Sequence, residues 1–264
     1  MKDSAYIGMS YRGEKNRIMR NIRLIIRYDG TRYNGWQKQG NTEKTIQGKL
    51  EQLLSKMTGE TIELAGSGRT DAGVHALAQV ANFHTNCNMS EKKMMEYIQE
   101  YLPKDIAVTD IKEVAERFHS RLQAVKKQYE YRIYMGKENP VFERNYCWHL
   151  PEQLDIEMMR EASQFLEGEH DFKSFCGNKK MKKSTVRKIE SIEIKKEGDW
   201  LLLRYVGNGF LMNMVRILTG TLIEVGEGIR KPEEMKTILE GKSRELAGRM
   251  APPQGLFLVK VWYS

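Results

Sequence analysis

The stretch AGSGRTDAGVHALAQVANFH, residues 65–84, decides how the chain is read. Ile62 and Leu64 lead into it with the alternation of a strand, Gly66, Gly68 and Gly73 punctuate a reversal, and Val80 to Phe83 resume an extended pattern. The turn displays Arg69 and Asp71 two residues apart. A guanidinium at that spacing favours the ionised carboxylate through charge and hydrogen bonding, which makes Asp71 a ready anionic nucleophile or base. The same residues also read as a tight turn pinned by a structural Arg–Asp pair, and the stretch alone leaves both readings open. Its glycines would let a bulky substrate approach the backbone.

Upstream, Ile22, Leu24, Ile26 and Tyr28 alternate as a strand that Asp29-Gly30 ends, and Thr45 caps a helix carrying Ile46, Leu50, Leu53, Leu54 and Met57, closed by Gly59. Downstream, Ser90 and Glu91 open a helix through Met94, Met95, Ile98 and Tyr101, and Ile106 to Val114 alternate as a strand. Strand, helix, strand, strand, helix, strand is the ferredoxin-like order, here over residues 20–121.

Residues 122–264 roughly repeat that order. A strand over 126–134 is followed by a helix over 154–166, with Met158, Ala162 and Phe165 on its apolar stripe, and by strands over 186–194 and 200–206. A long helix from about Phe210 to Val225, a short one over 233–240 and a strand over 256–262 complete the chain. The pattern predicts an α+β protein whose second half suggests a second ferredoxin-like domain, with residues 1–19 as a basic N-terminal extension.

Lys and Arg number 43 against 35 acids among 264 residues, a net charge of +8 that suits a polyanionic partner. Cys87, Cys147 and Cys176 are too scattered for a zinc site or a disulfide framework, which favours a reducing cytoplasm. No apolar leader and no run of about 20 apolar residues argues for a membrane segment.

The positive charge is clustered. The tract GNKKMKKSTVRKI, residues 177–189, holds Lys179, Lys180, Lys182, Lys183, Arg187 and Lys188 without an acid, and fits either phosphate contacts or a solvated loop. A second cluster, Arg117, His119, Arg121, Lys126 and Lys127, precedes Tyr129 and Tyr131, which are either sheet residues or rings on which a base stacks. Arg216 is the lone cation in VGNGFLMNMVRILTGTLIEVGEG, residues 206–228, and must either reach a carboxylate between the halves or snorkel to the surface. His75 stands four residues after Asp71, but Gly73 argues against a shared helix turn and no further ligand cluster exists, so no metal site is predicted.

With these residues in view, the chain closely resembles the tRNA pseudouridine synthase A family, through GRTDAGVHA at 68–76, YDGTRYNGWQKQ at 28–39, LPKDI at 102–106, FHSR at 118–121, YEY at 129–131, HDFKSF at 170–175, NGFLMNMVR at 208–216 and APPQGL at 251–256. The resemblance implies a homodimeric isomerase of two ferredoxin-like (RRM-like) α/β-sandwich domains whose sheets flank a central RNA-binding cleft, converting uridine to pseudouridine in the tRNA anticodon stem-loop, at positions 38, 39 and 40, without cofactor or metal. It makes Asp71 the catalytic aspartate, Arg69 its ion-paired neighbour, Tyr129 the tyrosine beside the target base and Arg216 the arginine supplied by the second half. Lys126, Lys127, Lys179, Lys180, Lys182, Lys183 and Arg187 are then expected to hold RNA. A paralogue acting on another RNA, or a non-catalytic RNA-binding protein using the same cleft, are the competing readings.

Overall fold

The computed structural model describes residues 19–264, so the extension read in residues 1–19 lies, but for Met19, outside the described residues. The first half comprises β1 (Arg20–Tyr28), α1 (Ile46–Thr58), β2 (Ala65–Gly66), β3 (His75–Thr85), α2 (Glu91–Tyr101) and β4 (Ile106–Val114). The second comprises β5 (Ala124–Tyr134), β6 (Trp148–His149), α3 (Ile156–Gln164), β7 (Gly168–Asp171), β8 (Val186–Glu197), β9 (Trp200–Gly207), α4 (Met214–Gly226), α5 (Glu234–Gly241) and β10 (Leu256–Tyr263).

Where the sequence predicts two sheets, one mixed sheet runs through both halves in the order β4-β1-β3-β10-β5-β9-β8-β7, with β2 on β3 and β6 on β5. The join is β10, antiparallel to β5 on one side and parallel to β3 on the other through Phe257↔His75 and Leu258↔Ala76. Partners on both sides leave this part of β10 no open edge, and Phe257 and Leu258 are buried. Alternation within a strand reports its own faces but not its neighbour across an open edge, so this join was not legible in the sequence.

Helices cap where the sequence says they must. Thr45 accepts from the Gly48 amide at 3.2 Å, and Gly59 ends α1 in the left-handed region at φ 74. Leu50 and Leu54 of α1 and Met94 and Ile98 of α2 pack on Ile22, Leu24 and Ile26 of β1, and this core continues into the second half through Tyr131, Leu203 and Leu222.

Two readings shift in phase. Asp155 caps α3, which turns Met159 and Ala162 inward and leaves Met158 half-buried. Helix α4 begins at Met214 rather than near Phe210, because Asn213 adopts φ 60 and breaks the helical path. Charges on the sheet pair across strands, Arg23 with Asp110 and Glu130 with Arg204, and along β5, Glu130 with Arg132. No helix among the described residues is long and apolar enough to cross a membrane.

Candidate active site

The predicted strand at Ile62 and Leu64 is only the short β2, one step later, and β3 begins at His75, so residues 67–74 form the connecting loop. Its backbone is tied at both ends. The Ser67 amide donates to Val80 O at 2.7 Å, Gln79 Nε2 to Gly68 O at 3.0 Å, and the Gly73 amide to Tyr33 O at 3.3 Å. In the middle, the Trp36 amide donates to Thr70 O at 3.1 Å, and the Thr70 hydroxyl pairs with Tyr28 Oη at 2.8 Å. Gly35 permits this contact: it sits at φ +90, and a Cβ there would lie 2.6 Å from Thr70 O.

Asp71, next to Thr70, is therefore held by its neighbour's anchors, and its carboxylate meets residues from the far half of the chain. Asn213 Nδ2 donates to Asp71 Oδ2 at 2.6 Å and Arg216 Nη1 approaches the same oxygen at 3.5 Å. Oδ1 accepts no hydrogen bond from the described residues, and the Asp71 side chain remains 30% exposed. One oxygen is fixed and the other is open, the arrangement a nucleophile or base requires. Arg216 itself is 8% exposed, and its Nε donates to Ala251 O at 2.8 Å, so of the two fates the sequence left open it takes the buried one.

Arg69 departs from expectation. Its Nε donates to Gln37 Oε1 at 3.0 Å and it makes no ion pair with Asp71, whose fixed oxygen is occupied by Asn213 and Arg216.

Tyr129 lies on β5, 8% exposed, with Phe210 edge-on to its ring at 5.2 Å. Burial, reinforced by neighbouring Tyr28 and by the charge of Asp71, holds its phenol well above the ordinary tyrosine value, so the hydroxyl is protonated at neutral pH and available as a donor. That hydroxyl has no partner among the described residues, yet it is not among their sealed, unsatisfied atoms. It is therefore not sealed, and Asp71 is near enough for its charge to act on it.

The remaining candidates divide. Lys127 is largely buried beneath the Asp71 loop, where its Nζ donates to Ser67 O at 2.6 Å and a Cβ on Gly68 would come within 2.8 Å of it. Burial first, then the nearby charges of Arg121 and Arg187, lower its pKa to about 8. Lys126 instead pairs with Glu190 at 2.9 Å, and Lys179 with Glu245 at 2.6 Å, so neither ammonium is free. Lys180, Lys182 and Lys183 are exposed and make no ion pair among the described residues, and Arg187 donates to the carbonyls of Ser184 and Val186.

His75 is turned to the other side of β3. Its Nδ1 accepts from the Gly30 amide at 3.1 Å, its Nε2 meets Asn145 O at 3.0 Å, and burial lowers its pKa. Both ring nitrogens are engaged away from Asp71.

Sequence reasoning missed Asn213, which it read as an interior residue of a longer helix. The available signal was an asparagine just ahead of an apolar periodic run, since asparagine is a residue that tolerates the left-handed region.

The loop thus presents a carboxylate with one oxygen held and one free, near a buried tyrosine and several cations. The sequence profile of the tRNA pseudouridine synthase family matches residues 24–122 and 162–264, and the chain belongs to that family of isomerases. Among its relatives, a tRNA pseudouridine synthase A of Bacillus sp. (strain KSM-64) is 50% identical over 91% of this chain and 98% of its own length. A tRNA pseudouridine synthase A 2 of Clostridium perfringens (strain 13 / Type A) is 47% identical over 93% of this chain and 100% of its own. A tRNA pseudouridine synthase A of Thermoanaerobacter sp. (strain X514) is 45% identical, again over 93% and 100%.

Proposed function

We propose that this chain converts uridine to pseudouridine in the anticodon stem-loop of tRNA, at positions 38, 39 and 40, with Asp71 as nucleophile or base. The observation that carries the reading is the open Oδ1 of Asp71 beside an Oδ2 fixed by Asn213 and Arg216. The reaction breaks the bond from uracil N1 to the sugar C1′ and forms one from C5 to C1′, while C5 loses a proton and N1 gains one. It is redox-neutral and balances without a co-reactant, so it calls for no cofactor or metal.

An anion that acts on the nucleoside and then leaves suits the first step, and a carboxylate is such a group. Asn213 and Arg216 keep Asp71 aimed. The detached uracil must turn in place, so the ring and hydroxyl of Tyr129 would hold it from one side. Extruding a paired uridine costs a few kcal/mol, which phosphate contacts from Lys180, Lys182, Lys183, Arg187 and Lys127 would offset. Arg69, exposed and two residues from Asp71, would meet the RNA backbone next to the target nucleotide.

The reading treats residues 20–121 and 122–264 as two ferredoxin-like units sharing one sheet. The strand orders β4-β1-β3-β2 and, with the short β6 and β7 set aside, β10-β5-β9-β8, each fourth-first-third-second, support it. A homodimer working in the cytoplasm completes the proposal. The test is to incubate the protein with unmodified tRNA transcripts and map pseudouridine by carbodiimide-adduct primer extension. Modification confined to positions 38–40 is expected, and modification elsewhere or none overturns the target.

A further inference from the structure

Beside the Asp71 loop lies a cavity of about 470 Å³, formed between the Trp36-Gln37 turn, the 64–69 segment and the turn at 119–122, and edged by Lys183 from the other half. Its size falls within the range of sites that enclose small ligands. Arg69, Arg121 and Lys183 line it, and no carboxylate does. None of the three makes an ion pair among the described residues, and Arg69 commits only its Nε, to Gln37. Three uncompensated cations from separate segments around one hollow form a site for an anion.

The cavity also carries the means to hold a base. Leu122 stands among its lining residues 78% exposed, an apolar side chain left in water beside the cations. His119 is beside it, and its Nδ1 accepts from the amides of Arg121 at 3.1 Å and Leu122 at 3.4 Å. That assigns the ring proton to Nε2, leaving an N–H donor on a planar ring. Gln37 gives one amide hydrogen to Gln47 at 2.8 Å and has a second to offer.

We propose that this cavity is a second nucleotide subsite, which takes the base of a nucleotide flanking the target uridine against Leu122 and His119 and its phosphate on Arg69, Arg121 and Lys183. The assignment rests on the reading of Asp71 as the place of the target base. Arg69 is two residues from Asp71, a chain distance of at most about 7 Å, so one RNA strand spans both positions. Bases stack readily on exposed apolar and aromatic side chains without regard to sequence, so the subsite takes the flanking base whatever its identity.

The test is a binding cycle, which does not depend on turnover. Full-length protein and its Leu122→Ala variant are titrated by filter binding with an anticodon-arm transcript, intact or with a single abasic residue on either side of the target uridine. Leu122 is exposed, so its truncation leaves folding intact. An abasic residue on one side only is expected to weaken binding about tenfold, Leu122→Ala to weaken binding of intact RNA by a similar factor, and the two together to be no worse than either. Additive losses, equal losses on both sides, or no loss overturn the subsite. Tritium release from the intact transcript, measured in parallel, reports on the isomerase reading separately: its absence sinks that reading whatever the binding cycle gives.

Discussion

Replacing Asn213 by glycine and by alanine separates two effects that one residue combines. Asn213 stands at φ 60 with its Nδ2 2.6 Å from Asp71 Oδ2. A hydrogen bond to a charged group contributes about 1.5–3 kcal/mol, and the partial exposure of Asp71 argues for the lower end. A Cβ in the left-handed region costs about 1 kcal/mol that glycine does not incur. Asn213→Gly therefore loses the bond and sheds the strain, so its melting temperature should stay within about 3 °C of wild type. Asn213→Ala loses the bond and keeps the strain, and should melt about 5 °C lower. Both release the Asp71 carboxylate from its fixed orientation, and kcat should fall about tenfold in each, or roughly 1.4 kcal/mol, with KM less affected. Single-turnover tritium release and thermal denaturation measure the two quantities. An Asn213→Gly protein with wild-type kcat would refute the claim that this contact positions the carboxylate.

Lys127 gives a pH signature. Its folded pKa of about 8 lies below the ordinary 10.5, so across that window the unfolded chain holds more protons and stability rises with pH, the reverse of an ion-paired lysine. Phosphate favours the charged form, so RNA affinity should weaken above pH 8 by up to about tenfold per unit, and Lys127→Arg should flatten that loss; an unchanged profile tells against Lys127 as an RNA contact. Gly35→Ala, with φ +90 and Thr70 O only 2.6 Å from the new Cβ, should lower stability by about 2–4 kcal/mol, read as a shifted denaturant midpoint. Neutralising Lys180, Lys182 and Lys183 together should reduce the slope of log affinity against log salt by about 2, whereas Lys179→Ala, already paired with Glu245, should reduce it far less.

Much of this was legible in the chain because its signals are local. Thr45, Gly59 and Ser90 mark helix ends through their own side chains or lack of them, and the alternation in β1, β4, β5 and β9 follows from one buried face. Arg216, a charge in an apolar run, posed the choice between a partner and the surface, and only the fold decides it. What stayed hidden depends on distant residues. The parallel join of β10 to β3 needs only two backbone registers, the Asn213 contact spans 142 positions, and the diversion of Arg69 to Gln37 spans 32. Lys127 looked like its neighbour Lys126, yet the strand turns one under the Asp71 loop and the other toward Glu190.

The account stands on Asp71, and Asp71→Asn tests it with the smallest change available. The substitution removes the charge and the proton-accepting oxygen while preserving size and loop anchors. With tRNA carrying tritium at uridine C5, wild type should release label, and the variant should be slower by at least about a thousandfold while binding the same RNA within about threefold. Release at the wild-type rate by Asp71→Asn would contradict the central claim.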